Sequence, residues 1–213
     1  MRRRAVRAGR PWKLALLAAV LAAALPAAAA PAPALDPNWP CEQIKIEHMS
    51  LATMWGGPPL GKFLTEWQNY PAAAALAQRL SERRIAVAEA QAEITAFARK
   101  ASADRKTELL ALMGGLFSLL DQERFAVVQG LDRFGARQKS YAAQIRTEIT
   151  DLHDAQDAAR PDQKQITTLS NKVYWDTHVF SDRRSMISYA CFVPDEIERR
   201  LYQLAGTISN LLP

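Results

Sequence analysis

KTELLALMGGLFSLLDQERFAVVQGLDRFGARQKSYAAQIRTEITDLHDAQDA, residues 106–158, is a run of helix formers without one proline. Within it Leu116, Leu120, Val127, Leu131, Phe134, Tyr141, Ile145, Ile149 and Leu152 recur at steps of three, four or seven. Such spacing lays one apolar stripe along a helix. Unbroken, the helix would extend about 75–80 Å at 1.5 Å per residue. Gly114-Gly115, Gly130 and Gly135 are expected bends, and a break is expected near Gly114 or Asp121. Leu109 to Leu120 is apolar on nearly every face, which suits a central helix.

Outward from this stretch the same period continues. Pro161 punctuates the chain, and Gln163 to Ala190 reads as helix with Ile166, Leu169, Val173, Phe180 and Ile187 in step. Pro194 breaks it, Asp195-Glu196 supplies negative charge at a new helix N-terminus, and Ile197, Leu201, Leu204, Ile208 and Leu211 follow. Upstream, Ala72 to Ala103 is predicted to be one helix, its stripe being Leu76, Leu80, Val87, Ala90, Ile94 and Phe97. The predicted fold is all-α. It is an antiparallel helical bundle or long helical hairpin of four to five helices over residues 72–213.

Residues 35–71 differ in character. Eight prolines and glycines between Pro37 and Pro71 deny this arm long helices, and Trp39, Trp55, Phe63, Trp67 and Tyr70 favour burial. The expectation is an irregular arm draped over the helical body, with Ile44-Lys45-Ile46 as a brief extended piece.

Residues 1–34 read as an export signal. Arg2, Arg3, Arg4, Arg7, Arg10 and Lys13 precede an apolar run from Leu14 to Leu25, and small residues follow to Ala34. That run is too short for a bilayer, which takes about twenty residues. Cleavage is expected between about Ala29 and Ala34, leaving no transmembrane segment and placing the protein in the periplasm. Of the 27 basic and 22 acidic side chains, six basic and no acidic ones fall in residues 1–34. The remainder, 21 against 22, is near −1, so nucleic acid is not an expected partner. An oxidising compartment makes Cys41 and Cys191 a disulfide pair, tying the arm to the far end of the chain. Closing a loop of 150 residues contributes at most about 5 kcal/mol.

Tests for chemistry are mostly negative. The chain has no C-x-x-C-H haem motif, no Glu-x-x-His, no H-E-x-x-H and no G-x-S-x-G. Asp151 with His153 and Asp176 with His178 are spaced two apart, so neither pair shares a helix face. No catalytic residue, metal or cofactor is expected. Continuing the stripes leads to Arg83, Glu123, Gln138, Asp176 and Arg183. Two readings remain open for these. Arg83, Glu123, Asp176 and Arg183 form a buried polar layer, pairing Arg83 with Asp176 and Glu123 with Arg183, beside a ligand pocket of Tyr174, Trp175 and His178. Alternatively they fix register, or stand at the stripe edge facing water.

Two resemblances accompany this reading. Leu64-Thr65-Glu66-Trp67-Gln68 is similar to the L-T-x-x-Q pattern of the Spy and CpxP type periplasmic helical chaperones, and is also a capping box with Thr65 as cap and Gln68 bonding back. Asp36-Pro37-Asn38-Trp39-Pro40-Cys41 resembles the start of a group of exported bacterial helical proteins opening D-x-x-W-P-C, a resemblance that implies no activity. The function expected is a non-catalytic periplasmic protein-interaction, scaffold or chaperone-like module whose partner is another envelope protein. The alternative is a small-ligand or metal-binding module using the polar layer.

Overall fold

The apolar stripes become helices in a computed structural model that describes residues 36–213, all within one compact unit. The export signal read in residues 1–34 lies outside the described residues. Seven α-helices follow in order: α1 (Leu51–Met54), α2 (Phe63–Glu66), α3 (Pro71–Ser81), α4 (Val87–Lys100), α5 (Arg105–Asp157), α6 (Gln163–Cys191) and α7 (Val193–Leu211). No strand occurs among the described residues, so the chain is all-α there.

Helix α5 runs 53 residues without a break, about 80 Å. The break expected near Gly114 or Asp121 is absent. Each glycine that touches the arm serves close approach instead. A Cβ on Gly114 would strike the Phe63 carbonyl, and one on Gly135 would strike the Asn38 carbonyl. Gly115 lies under Trp67 and Ala77. The arm backbone therefore seats directly on the helix, where any larger residue would hold it off.

The first half of α5 is the centre of the molecule. Every residue from Leu109 to Leu116 is buried, enclosed by α2, α3, α4, α7 and the arm. Trp55, Leu60 and Trp67 of the arm join this core, as do Leu80, Ile94, Leu201, Leu204 and Ile208. Burying a side chain of this size contributes roughly 1.5–3 kcal/mol.

The single helix expected from Ala72 to Ala103 is two. Its chain turns over residues 82–86, placing Glu82, Arg83 and Arg84 in water while Ile85 stays buried. Arg200 of α7 holds that turn. Its buried guanidinium donates to the Leu80 carbonyl at 3.0 and 2.8 Å and to the Ile85 carbonyl at 2.7 Å. The Leu80 carbonyl, in the last turn of α3, and the Ile85 carbonyl of the turn are thus both satisfied by a cation at the helix's negative end. Desolvation holds the Arg200 pKa below its ordinary value.

The second half of α5 pairs with α6 across the 158–162 turn, where Asp162 caps α6 by accepting from the backbone N–H of Lys164 at 2.8 Å. The two helices run antiparallel, since Glu148 and Tyr141 face Lys172 and Asp176 respectively. No residue of α6 is fully buried. Among the described residues no helix is long and apolar enough to cross a membrane.

The N-terminal part of the arm is tied down at several points. Cys41 and Cys191 form a disulfide with Cα atoms 5.7 Å apart. Lys45 bridges Asp36 at 2.7 Å and Asp132 of α5 at 3.1 Å, an arrangement that lowers the Asp36 pKa and raises that of Lys45. Ile44-Lys45-Ile46 forms no strand, and the Ile46 carbonyl accepts from buried Arg124, which also pairs with Glu198 of α7 at 2.6 Å. Asp121, an expected break, instead accepts from the Met49 N–H at 2.6 Å and meets His48 at 2.8 Å. Thr65 lies inside the one-turn α2 and donates to the Lys62 carbonyl at 3.3 Å, so it does not cap a helix as the capping-box reading required.

Candidate functional site

Three features beyond the core carry chemistry: a polar cluster across the α5–α6 pair, a cleft at the disulfide, and the outer face of α6. The polar cluster forms where the inner stripe of α6 meets α5. Asp176 accepts from the Tyr141 hydroxyl at 2.9 Å and from Lys172 at 3.0 Å. Lys172 also reaches Glu148, which is nearly buried and accepts from Gln144 at 2.7 Å. Arg183 lies over the Tyr141 ring, 5.2 Å from its centre. The Lys172 ammonium, with the Tyr141 hydroxyl, holds the Asp176 carboxyl below its ordinary pKa; Glu148, then Asp176, raise that of Lys172. Burial, then the bond to Asp176, raises the Tyr141 phenol.

The four stripe charges do not meet in one layer. Arg83 pairs with Glu123 at 2.7 Å on the surface beside the α3–α4 turn, both side chains being more than a third or about a third exposed. Asp176 and Arg183 stand together on Tyr141, far along α5 from that pair. The pairings Arg83 with Asp176 and Glu123 with Arg183 are therefore not formed. Sequence periodicity missed Lys172 and Glu148, although both lie four residues from another member of the cluster (Asp176 and Gln144). The i,i+4 spacing was the available signal.

The cleft at the disulfide encloses about 440 Å³. Cys41 and Gln43 of the arm form one wall, and Phe134, Phe180, Arg184 and Ile187 of the helices form the other. Gln43 donates to the Cys191 carbonyl and Trp39 to the Gln43 carbonyl at 2.6 Å, so the arm wall is held by its own bonds. A volume of this size suits a small ligand.

Tyr174, Trp175 and His178, read as pocket residues, line no such cavity. They stand on the face of α6 opposite α5, each about 60% exposed or more. Tyr174 stacks on His178 with ring centres 6.2 Å apart and meets Trp175 edge-on at 5.4 Å. Met186 and Tyr189 continue the row, and exposed Phe192, just past the end of α6, extends it while also lining the disulfide cleft. The helical period accounts for the placement: Val173, Phe180 and Ile187 take the inner face, leaving positions 174, 175, 178, 186 and 189 outward. This row of large apolar side chains on an otherwise polar surface is a candidate contact face.

Among the described residues no group of three or more His, Cys, Asp or Glu is placed to hold a metal ion. No protein-family model matches the chain, and no curated protein or solved structure is similar to it.

Proposed function

We propose that this protein is an exported, non-catalytic helical module that binds another protein through the outer face of α6. The reading takes residues 1–34 as a cleaved export signal, the envelope as the working compartment, and the helices as a bundle extended by the α5–α6 hairpin. The single observation that supports it is the row Tyr174, Trp175, Met186 and Tyr189, with Phe192 just past its end, exposed on one face of a helix that is otherwise packed only through its other side. Aromatic and methionine side chains are the ones that supply binding energy at interfaces. Scaffold and chaperone-like roles both use such a face. The test is site-specific photocrosslinking in the native host. Benzoylphenylalanine at positions 175 and 189 should give protein adducts, while the same group at exposed Arg137 of α5 should give none. Equal yields at all three positions would remove the proposal.

A second reading has its own support. The cleft between the arm and α6 combines apolar rings with the Arg184 guanidinium, a lining suited to an amphipathic molecule bearing a carboxylate. Saturable binding of a medium-chain fatty acid, lost in Phe180→Ala and Arg184→Ala, would favour it. No binding in the wild type would dispose of it.

A further inference from the structure

We infer that the occupant of the α6 outer face is a second copy of this chain, docked antiparallel; this rests on the reading of that face as an interface. The argument begins with spacing. Trp175, His178, Asp182, Ser185, Tyr189 and Phe192 follow one another at steps of three, four, three, four and three. That is the spacing of a helix-packing seam, with aromatic rings towards both ends and polar residues at its centre, on the side α5 does not cover. The seam is also symmetric about its own midpoint, between Arg183 and Arg184. Turned end for end onto itself, it sets Trp175 against Phe192, His178 against Tyr189 and Asp182 against Ser185, each pair occurring twice.

Such mutual pairing is what a two-fold interface requires, residue i meeting j while j meets i. The four outer layers bring aromatic rings together, worth about 0.5–1.5 kcal/mol per pair beyond burial. The two central layers place the Asp182 carboxylate, which is exposed in the single chain and 3.9 Å from His178, opposite the Ser185 hydroxyl. A parallel pairing would instead stack Asp182 on Asp182 within one layer, whereas the antiparallel form sets the two carboxylates in adjacent layers, each opposite a hydroxyl. The pattern selects the antiparallel form.

Area agrees. Tyr174, Trp175, Met186, Tyr189 and Phe192 are 62–78% exposed. With roughly 150–250 Å² available to each aromatic side chain, they offer about 600–700 Å² per chain. A stable interface buries about 800 Å² a side, which the seam residues between them complete. Two helices in contact over residues 175–192 would share about 26 Å of length.

The test uses the full exported chain in its oxidised form. Sedimentation of the wild type should show a concentration-dependent dimer. Trp175→Ala should raise its dissociation constant at least tenfold while leaving the circular dichroism unchanged. Register is read by introduced thiols, since the described residues hold no free cysteine. In the antiparallel seam position 178 of one chain faces 189 of the other, whereas the two copies of 178 stand about 16 Å apart. His178→Cys and Tyr189→Cys chains should crosslink when mixed and not alone, with peptide mapping confirming that Cys41 remains joined to Cys191. A monomer at every concentration overturns the inference, as does crosslinking of His178→Cys with itself, or seam-dependent binding to anionic vesicles by a monomer. If self-pairing fails while photocrosslinking from position 175 still captures a different chain, the interface reading stands and only its occupant is wrong; if both fail, both fall.

Discussion

A backbone carbonyl occupies the space where a side chain would begin at Gly114 and at Gly135, and this decides what those residues are for. Gly114→Ala should destabilise the protein by about 1–3 kcal/mol, because the Phe63 backbone cannot yield as a side-chain tip would. Gly130→Ala is the control. Nothing lies within 4 Å of its would-be Cβ, so the substitution should stabilise by about 0.5–1 kcal/mol through helix propensity alone. Urea unfolding of the two variants gives opposite signs if the arm seats as described, and the same sign if it does not. Arg200→Met should cost about 2–4 kcal/mol by leaving the Leu80 and Ile85 carbonyls buried without a donor. None of these roles was legible in the sequence. A glycine in a helical run reads as weakness, since the carbonyl that needs the space comes from a segment far away in the chain. Arg200 follows the apolar period of α7 so closely that only the carbonyls it reaches explain its burial.

At the scale of the helix, apolar period located the faces well and the partners poorly. Core residues of α7, and of α5 as far as Leu131, stand where their stripes placed them, and Leu109 to Leu116 is central as its all-round hydrophobicity required; farther along α5, Ile149 of the stripe is exposed and Glu148 beside it is buried. Two faults have one cause. Helical propensity continues through Ser81 to Ala86, so the α3–α4 turn was invisible until Arg200 was seen to bind it. Charge pairing across helices depends on their relative register, which no single stripe contains, so Asp176 took Lys172 and Tyr141 rather than Arg83. The cluster predicts a pH dependence. Asp176 has a folded pKa below its ordinary 3.8, so its contribution is complete above that value and fades as pH falls toward the folded one. Lys172 has a folded pKa above its ordinary 10.5, so its contribution is complete below that value and fades as pH rises through the folded one. The α5–α6 pairing should therefore be tightest between the two limits. Hydrogen exchange of α6 amides should accelerate, beyond the intrinsic pH effect, as acid protonates Asp176. Asp176→Asn should show the faster rate at neutral pH and little further change in acid. A variant with wild-type protection at both pH values would show that the cluster does not hold the helices together.

Across the molecule, one covalent bond closes a chain segment of 150 residues and joins the arm to the last turn of α6. The two cysteines and their separation were readable at once; what the bond builds was not, because the cleft exists only when the arm and α6 are brought together. Cys41→Ser with Cys191→Ser should lower stability by up to about 5 kcal/mol, less by whatever structure the unfolded chain retains. The same variant should keep its helicity, since the core around α5 does not include the bridge. The aromatic row on α6 has the opposite character. It was legible as three unusual residues but misplaced as a pocket, because a stripe shows which residues share a face and not whether that face meets a neighbour. Its side chains add nothing to the core, so Trp175→Ser with Tyr189→Ser should change the melting temperature little, within about 0.5 kcal/mol of stability. The claim that this face is covered in the working protein is tested most directly by hydroxyl-radical footprinting, comparing dilute purified chain with intact cells of the native host. The account predicts that Trp175, Met186 and Tyr189 oxidise readily in the dilute chain and are protected several-fold in the cell, while exposed Tyr202 of α7 reacts alike in both. Equal oxidation of the α6 row in the two samples would contradict it.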